Sequence, residues 1–294
     1  MPNVRKNERF GTVMDLASRN VITIPPTSTI MTSMKTMVKY SFRRVPVADA
    51  GTKRLEGIVT SMDILNFLGG GEKHRLVREK YHGNLIAAIN EEVREIMEKN
   101  VFTVDQTSSW EDAVELMLKN KVGGAPIVDD EDVVVGIITE RDIMIFLAQN
   151  ARYDGRVKDF MTTGVITADP EMSIEDCIKL MVGKKFRRLP VVKDGILLGL
   201  LTSSSLVHYF SGEAFKKLIT GNAEDVLSQP ITTILNNEKI LKYREPLVVR
   251  PDDSIFDVVR KMIDKNQASA LVVKDTLEGI ITERDLMKFL ASMK

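Results

Sequence analysis

Gly279-Ile280-Ile281-Thr282-Glu283-Arg284-Asp285 reads as a short apolar strand running into the first turn of a helix, and the chain carries four versions of it. The others are Gly57-Ile58-Val59-Thr60-Ser61-Met62-Asp63, Gly136-Ile137-Ile138-Thr139-Glu140-Arg141-Asp142 and Gly199-Leu200-Leu201-Thr202-Ser203-Ser204-Ser205. An internal repeat sets the architecture before any local propensity is weighed, and it marks the positions kept polar for a reason other than packing.

Working outward, each copy follows an apolar stretch: FRRVPV at 42 to 47, VGGAPIV at 122 to 128, FRRLPVV at 186 to 192 and ASALVV at 268 to 273. Further upstream lies a helix whose apolar positions recur at i, i+3, i+4, i+7 and i+8, as in Ile174, Cys177, Ile178, Met181 and Val182, which puts them on one face. Only the first helix departs, with Ser33 at i+3. Thr27 or Ser28, Ser108 or Ser109, Ser173 and Ser254 stand where an N-cap oxygen can accept from the first free amides. Before each helix comes a β-rich run, VITI at 21 to 24, VFTV at 101 to 104, VITA at 165 to 168 and LVV at 247 to 249, and a second helix follows each Thr-x-x-Asp. The unit is therefore β-α-β-β-α, an α/β (α+β) fold, in repeats at 13–70, 93–150, 157–212 and 240–292. Such short units sit near the lower limit for folding alone, so pairs are expected. Thr139 and Thr282 lie 143 residues apart, and Arg43 and Arg187 lie 144 apart, so a longer period overlies the short one.

Forty-one Lys and Arg against 41 Asp and Glu leave no net charge, which removes a global basic field as an argument for nucleic acid. No apolar run is long enough to span a bilayer, and Met1 to Phe10 carries no charged-then-apolar signal, so a cytoplasmic protein without a membrane partner is expected. The one cysteine, Cys177, rules out an intrachain disulfide and falls on the apolar helix face as a core thiol. His74, His82 and His208 match no ligand spacing, so no metal is expected, and the first two read as solvated linker residues. Gly69-Gly70-Gly71 follows a helix and lacks the Gly-Lys-Ser/Thr ending of a phosphate loop; it reads as a helix-terminating linker. No Ser/His/Asp constellation repeats, so no catalytic residue is assigned and the chain is read as a binding protein, not an enzyme.

The functional weight falls on Thr-x-x-Asp. A Thr ending a strand and an Asp beginning a helix bring hydroxyl, carboxylate and free helix amides to one place, where the carboxylate can accept from vicinal ribose hydroxyls and the amides can meet a phosphate. The plainer reading is Asp as an N-cap with no ligand. Thr-Glu-Arg-Asp occurs only in repeats two and four, and the arginine pairs Arg43-Arg44 and Arg187-Arg188 only in repeats one and three.

The capped helix, the strand ending in Pro-[Val/Ile]-Val or its variant, the Gly-apolar-apolar-Thr strand and Thr-x-x-Asp together resemble the CBS (cystathionine β-synthase) domain over nearly the whole chain, with four repeats forming two pseudo-twofold Bateman modules. The layout is similar to the γ subunit of AMP-activated protein kinase and to stand-alone prokaryotic CBS proteins. The resemblance implies two principal nucleotide clefts. One would set Thr139, Arg141 and Asp142 against Val21, Ile22, Thr23, Arg43 and Arg44; the other would set Thr282, Arg284 and Asp285 against Val165, Ile166, Thr167, Arg187 and Arg188. Apolar strand residues would sandwich the base, the carboxylate would hold ribose, and guanidinium groups would take phosphate. A weaker site would use Thr60, Asp63, Val101 and Thr103, and Ser205 leaves the remaining cleft without a ribose acceptor. The implied ligand, not a cofactor, is AMP, ADP or ATP, sensed as a regulatory signal by a protein partner or a homodimer. The alternatives are a dimerising scaffold with empty clefts or bound S-adenosylmethionine, and nucleic-acid binding through linkers at 72–92 and 213–240.

Overall fold

The computed structural model describes residues 12–150, 154–220, 223–237, 240 and 245–292. The amino-terminal segment read for a signal, parts of the second linker and the start of the fourth repeat at 241–244 lie outside them.

The repeats form as follows. Repeat 1 has α1 (Ile30–Tyr40), β1 (Arg44–Ala48), β2 (Leu55–Thr60) and α2 (Ser61–Leu65), with α3 (Leu85–Ile89) in the linker. Repeat 2 has β3 (Val104–Asp105), α4 (Trp110–Lys119), β4 (Gly124–Val128), β5 (Val134–Thr139) and α5 (Glu140–Asn150). Repeat 3 opens on β6 (Thr162–Thr163), followed by α6 (Ile174–Lys184), β7 (Arg188–Lys193), β8 (Ile196–Thr202) and α7 (Ser203–Ser211). The second linker contains α8 (Glu213–Thr220), α9 (Ala223–Leu227) and α10 (Thr232–Leu235). Repeat 4 has β9 (Leu247–Val249), α11 (Ile255–Asp264), β10 (Ser269–Val273), β11 (Leu277–Thr282) and α12 (Glu283–Ser292).

In every repeat the two longer strands pair antiparallel in one register, Thr60 opposite Arg44, Thr139 opposite Gly124, Thr202 opposite Arg188 and Thr282 opposite Ser269. The leading strands are shorter than the sequence implies. VFTV contributes Val104 to a parallel pair with Ile127, while VITI and VITA contribute single bridges, Ile24 to Val47 and Ala168 to Val191; only LVV pairs throughout. Ile24, Val104, Ala168 and Val249 are buried at this pairing position, and burial of that one side chain fixes the strand end against its helix. The capping serines expected for α4, α6 and α11 are in place, Ser109, Ser173 and Ser254, but α1 is capped by Thr29, whose hydroxyl accepts from Thr32 N at 3.0 Å. Thr29 is one residue later than expected because Pro25-Pro26 and a turn through Ser28 delay the helix. Ser33, the polar departure on the α1 face, is buried and donates to the Ile30 carbonyl at 2.7 Å, so it enters the core with its hydroxyl satisfied.

Short turns open the first three repeats at Val13–Asp15, Val93–Glu95 and Val157–Asp159, each burying its valine. The opening segments are exchanged. That of repeat 1 bridges Ser18 to Ile137 of repeat 2, that of repeat 2 bridges Glu98 to Ile58 of repeat 1, and Thr162–Thr163 of repeat 3 pairs with β11 of repeat 4. This crossing explains the glycine that opens the repeated motif: a Cβ on Gly57 would lie 2.9 Å from the Glu98 carbonyl oxygen, and one on Gly279 would lie 2.8 Å from that of Thr162.

The chain divides into two compact units, and neither is a run of consecutive repeats. One contains the residues up to Val21, Val101–Val165 and those from Pro246 on, so it holds repeats 2 and 4; the other contains Ile22–Asn100 and Ile166–Glu245, so it holds repeats 1 and 3. In the unit of repeats 1 and 3, α1 and α2 pack against α7, and the first linker's turn at Asn66–Gly70 packs against α6 around a single apolar core. Gly70 permits that approach, since a Cβ there would meet Val182 Cγ2 at 2.4 Å. In the unit of repeats 2 and 4, α12 packs on α5 and α4, and α11 on α5. Cys177 is fully buried among the apolar residues of α6, and burial pushes its thiol up to about 12. No helix among the described residues is long and apolar enough to cross a membrane.

Candidate functional site

The strand preceding each Thr ends there because the next residue's amide turns back to the start of the neighbouring strand. Ser61 N donates to the Arg43 carbonyl at 2.9 Å, Glu140 N to Gly123 at 3.2 Å, Ser203 N to Arg187 at 3.0 Å and Glu283 N to Ala268 at 3.3 Å. The helix starts immediately. Thr60 and Thr202 are the caps of α2 and α7, so the fourth motif residue is not the cap but the third helical position, reaching back to the Thr in a capping box. In each of the three Asp copies Oδ2 accepts both groups of its Thr. The Thr N distances are 2.8 Å for Asp63, 2.8 Å for Asp142 and 3.0 Å for Asp285, and the Thr Oγ1 distances are 2.6, 2.6 and 2.7 Å.

The other carboxylate oxygen distinguishes the copies. Asp63 Oδ1 is taken by the Lys73 ammonium. Asp285 Oδ1 is held loosely, by Thr162 Oγ1 at 3.3 Å and Lys288 Nζ at 3.4 Å. For Asp142 no donor among the described residues reaches Oδ1. Burial pushes the Asp142 carboxyl above its ordinary 3.8, with the two Thr139 bonds working the other way and the Glu283 charge adding to the rise. A desolvated carboxylate with one oxygen pinned can still accept a hydrogen bond at the other. Ser205 has no second oxygen; its hydroxyl accepts from Thr202 N at 2.8 Å and donates to the Thr202 carbonyl at 2.8 Å, which closes the turn on itself.

Arg141 and Arg284, expected to face ligand phosphate, are engaged elsewhere. The Arg141 Nη1 donates to Glu283 at 3.3 Å and to the Gln267 carbonyl at 3.1 Å, and Arg284 Nε donates to Glu140 at 2.7 Å with Nη2 on the Lys121 carbonyl at 3.0 Å. The two glutamates are 1% and 3% exposed, so these are reciprocal buried pairs joining α5 to α12. In the other unit the equivalent helix starts meet through Ser61 Oγ and Ser203 Oγ at 2.8 Å, both hydroxyls buried. The sequence signal for this was the alternation itself: Glu-Arg in the even repeats and Ser in the odd ones marks which repeats pack their second helices together.

The remaining expected residues divide between the units. Thr139, Asp142, Thr282, Asp285, Val21, Val101, Thr103 and Val165 lie in the unit of repeats 2 and 4; Thr60, Asp63, Ile22, Thr23, Arg43, Arg44, Ile166, Thr167, Arg187 and Arg188 lie in the other. The four arginines of the pairs are half-buried. Phe102 and Ile166, which occupy the same register in the lead strands of repeats 2 and 3, are 47% and 42% exposed. His74, read as solvated, is held by the Phe67 carbonyl, 2.8 Å from Nδ1. Lys73 carried no sequence signal as a partner of Asp63, ten residues away across a glycine turn. Among the described residues no group of His, Cys, Asp and Glu has the geometry to hold a metal ion.

Comparison with known proteins agrees with this architecture. The CBS domain model matches residues 13–70, 93–149, 157–212 and 239–292. Protein MJ1225 of Methanocaldococcus jannaschii is 38% identical over 286 residues, covering 96% of this chain and all of that protein. Its crystal structure, described as that of a proposed archaeal homolog of γ-AMPK, superposes with a TM-score of 0.88 at 37% identity over 95% of this chain and 99% of its own. A 33.4 kDa protein from the ribosomal RNA operon of Thermofilum pendens is 28% identical over 92% of this chain and 88% of its own length. A conserved protein of Pyrococcus horikoshii shares the fold at 20% identity, with a TM-score of 0.57 over 95% of this chain and 99% of that one. Four matched repeats spanning most of the sequence, and a full-length relative at this identity, make the chain a member of the CBS domain family, built as two Bateman modules.

Proposed function

We propose that the chain is a regulatory protein that binds an adenine nucleotide, AMP, ADP or ATP, with Asp142 and Asp285 as ribose acceptors. The observation that carries this reading is the Asp142 carboxylate: desolvated, aimed by Thr139 through Oδ2, and open at Oδ1. A ribose diol supplies the two donors such an oxygen lacks. Arg141 and Arg284 act as positioning residues that fix the helix starts carrying the acceptors. Ligand binding changes how the repeats pack by its differential affinity for one arrangement, and a partner protein or second copy in the cytoplasm reads the change.

Calorimetric titration of the full chain with AMP, ADP, ATP and S-adenosylmethionine tests the reading. Two nucleotide sites per chain are expected, each weakened by alanine at one of the two aspartates. Heat from S-adenosylmethionine alone would move the ligand class to adenosyl compounds without a phosphate, and no binding at millimolar concentration of any of the four would overturn the proposal.

A further inference from the structure

The Asp63 copy of the motif has the same pinned Oδ2 as Asp142, yet its second oxygen is not available. Lys73 occupies it, and the ammonium also donates to the Ile96 carbonyl at 2.5 Å, so two acceptors hold the charge in place. The segment that delivers Lys73 is built for the purpose. Gly69, at φ 152°, lets the chain leave the helix in a conformation closed to other residues. Asn66, one turn beyond Asp63 on the same helix, then accepts from Lys73 N at 2.8 Å, and His74 bonds the Phe67 carbonyl. Gly71 lies so close to Asn66 that a Cβ would sit 2.8 Å from its Oδ1. These two hydrogen bonds and the close packing of Gly71 on Asn66 fold residues 69–74 back over the helix start, leaving the Lys73 and Asp63 side chains 23% and 16% exposed. Asp142 has no such companion among the described residues, and Asp285 has only the distant Lys288.

We infer that Lys73 is a tethered competitor for the Asp63 carboxylate, holding the oxygen that a ribose diol would take and keeping a third ligand site of the chain latent. This rests on the reading of the motif Asp as a ribose acceptor. A charge-assisted bond from a lysine already anchored by its own backbone needs no association step, so a neutral hydroxyl pair from solution has to displace it at a disadvantage. The site opens when the ammonium is removed or withdrawn.

Equilibrium dialysis of the full chain with AMP, in the parent protein and in Lys73→Met, with Lys73→Gln as a second variant should the first lose its circular dichroism signature, counts the sites directly. Two bound AMP per chain in the parent, three in the Lys73 variant and two again in Lys73→Met/Asp63→Asn is the expected result. A folded Lys73 variant that still binds two overturns the inference while leaving the nucleotide reading intact. Absence of AMP binding in every protein overturns both. A readout independent of nucleotide is acylation of lysines by acetic anhydride followed by mass spectrometry. Lys73 should react about tenfold more slowly than the exposed Lys184, and Asp63→Asn should erase the difference. Equal reactivity of Lys73 and Lys184 in the parent chain would show that the lock does not exist in solution, whatever AMP does.

Discussion

The two units solve one packing problem with opposite chemistry. Where the second helices of repeats 2 and 4 meet, Glu140 and Glu283 are buried and each is answered by an arginine of the other repeat; where those of repeats 1 and 3 meet, the same positions hold Ser61 and Ser203 sharing one hydrogen bond. The bonded partners are 142 to 144 residues apart in both units. A pseudo-twofold contact therefore does not require charge. The charged version makes each unit half intolerant of a change in the other, since a buried carboxylate without its guanidinium is far costlier than a lone hydroxyl. It also places an ion pair one residue from each of Asp142 and Asp285, whereas the helix-start contact near Asp63 and Ser205 is the neutral Ser61–Ser203 bond.

The comparison breaks most visibly in stability. Removing Arg141 or Arg284 by substitution with Ala leaves Glu283 or Glu140 buried and unanswered, with an expected loss of about 3 kcal/mol, at the lower end for buried pairs because the arginines are partly exposed. Ser61→Ala or Ser203→Ala removes one neutral bond, with an expected loss of about 1 kcal/mol. Urea denaturation of the four variants gives the ranking. Similar small losses in all four would mean that the ion pairs contribute no more than the serine bond does.

The second test concerns the open acceptors. Asp142→Ala and Asp285→Ala should each cost about 1.5 to 3 kcal/mol in AMP affinity at one site, the worth of hydrogen bonds to a charged group. Loss of the capping bond itself costs about 1 kcal/mol of stability, which leaves the chain folded. Asp142, with a free oxygen, should show the larger effect, because Asp285 gives up its bonds to Thr162 and Lys288 when a ligand arrives. Unchanged affinity in the double variant would reduce both residues to helix caps.

The repeat, the helix faces, most of the caps and the family were legible in the sequence because each depends on local chemistry that recurs four times. The α1 cap was misplaced by one residue, as the two prolines at 25 and 26 shift the helix start without changing its apolar period. The lead strands were overread, since β-branched residues such as Val21 to Thr23 have strand propensity but no pairing partner beyond Ile24. The arginines of Thr-Glu-Arg-Asp were assigned to phosphate because a guanidinium beside a ligand-facing carboxylate is chemically apt; their actual partners lie more than a hundred residues away, and only the odd-even alternation pointed to them. The Lys73 contact was invisible for the same reason in miniature: it depends on a glycine turn whose direction no composition rule fixes.

Acidity separates ligand binding from folding at Asp142. Its carboxyl is raised above 3.8 in the folded chain, so the native state takes up a proton more readily than the unfolded one. The stability this residue contributes is present below the unfolded value and is lost as pH rises through the raised one. Ribose binding needs the charged form and runs the other way, weakening as pH falls through that same raised value. AMP affinity followed from pH 7 down to 4 should therefore fall at the Asp142 site as that raised value is passed, and Asp142→Asn should remove that site at every pH. An Asp142 site whose affinity stays constant over this range would show that the charge of Asp142 does not govern its binding.

The smallest expected effect lies at Ser205, where the unit of repeats 1 and 3 lacks the carboxylate altogether. Ser205→Asp restores a group whose Oδ2 can accept from Thr202 N and Oγ1, as in the other three copies, and a negative charge in the first turn of α7 favours the helix by a few tenths of a kcal/mol. Against this, Ser205 is 5% exposed, so the second oxygen enters a desolvated position that the serine never had to satisfy. Asp285 tolerates 8% exposure, but with Thr162 and Lys288 to meet its second oxygen. Repeat 3 has His208 at the position of Lys288, an imidazole in place of an ammonium. The net change in stability should accordingly stay within about 1 kcal/mol. Urea midpoints decide it: a gain in Ser205→Asp/His208→Lys relative to Ser205→Asp makes the motif carboxylate dependent on a cation one turn along the helix. A loss of several kcal/mol in both variants would mean that repeat 3 is shaped around its serine and cannot hold the acceptor that the other three repeats carry.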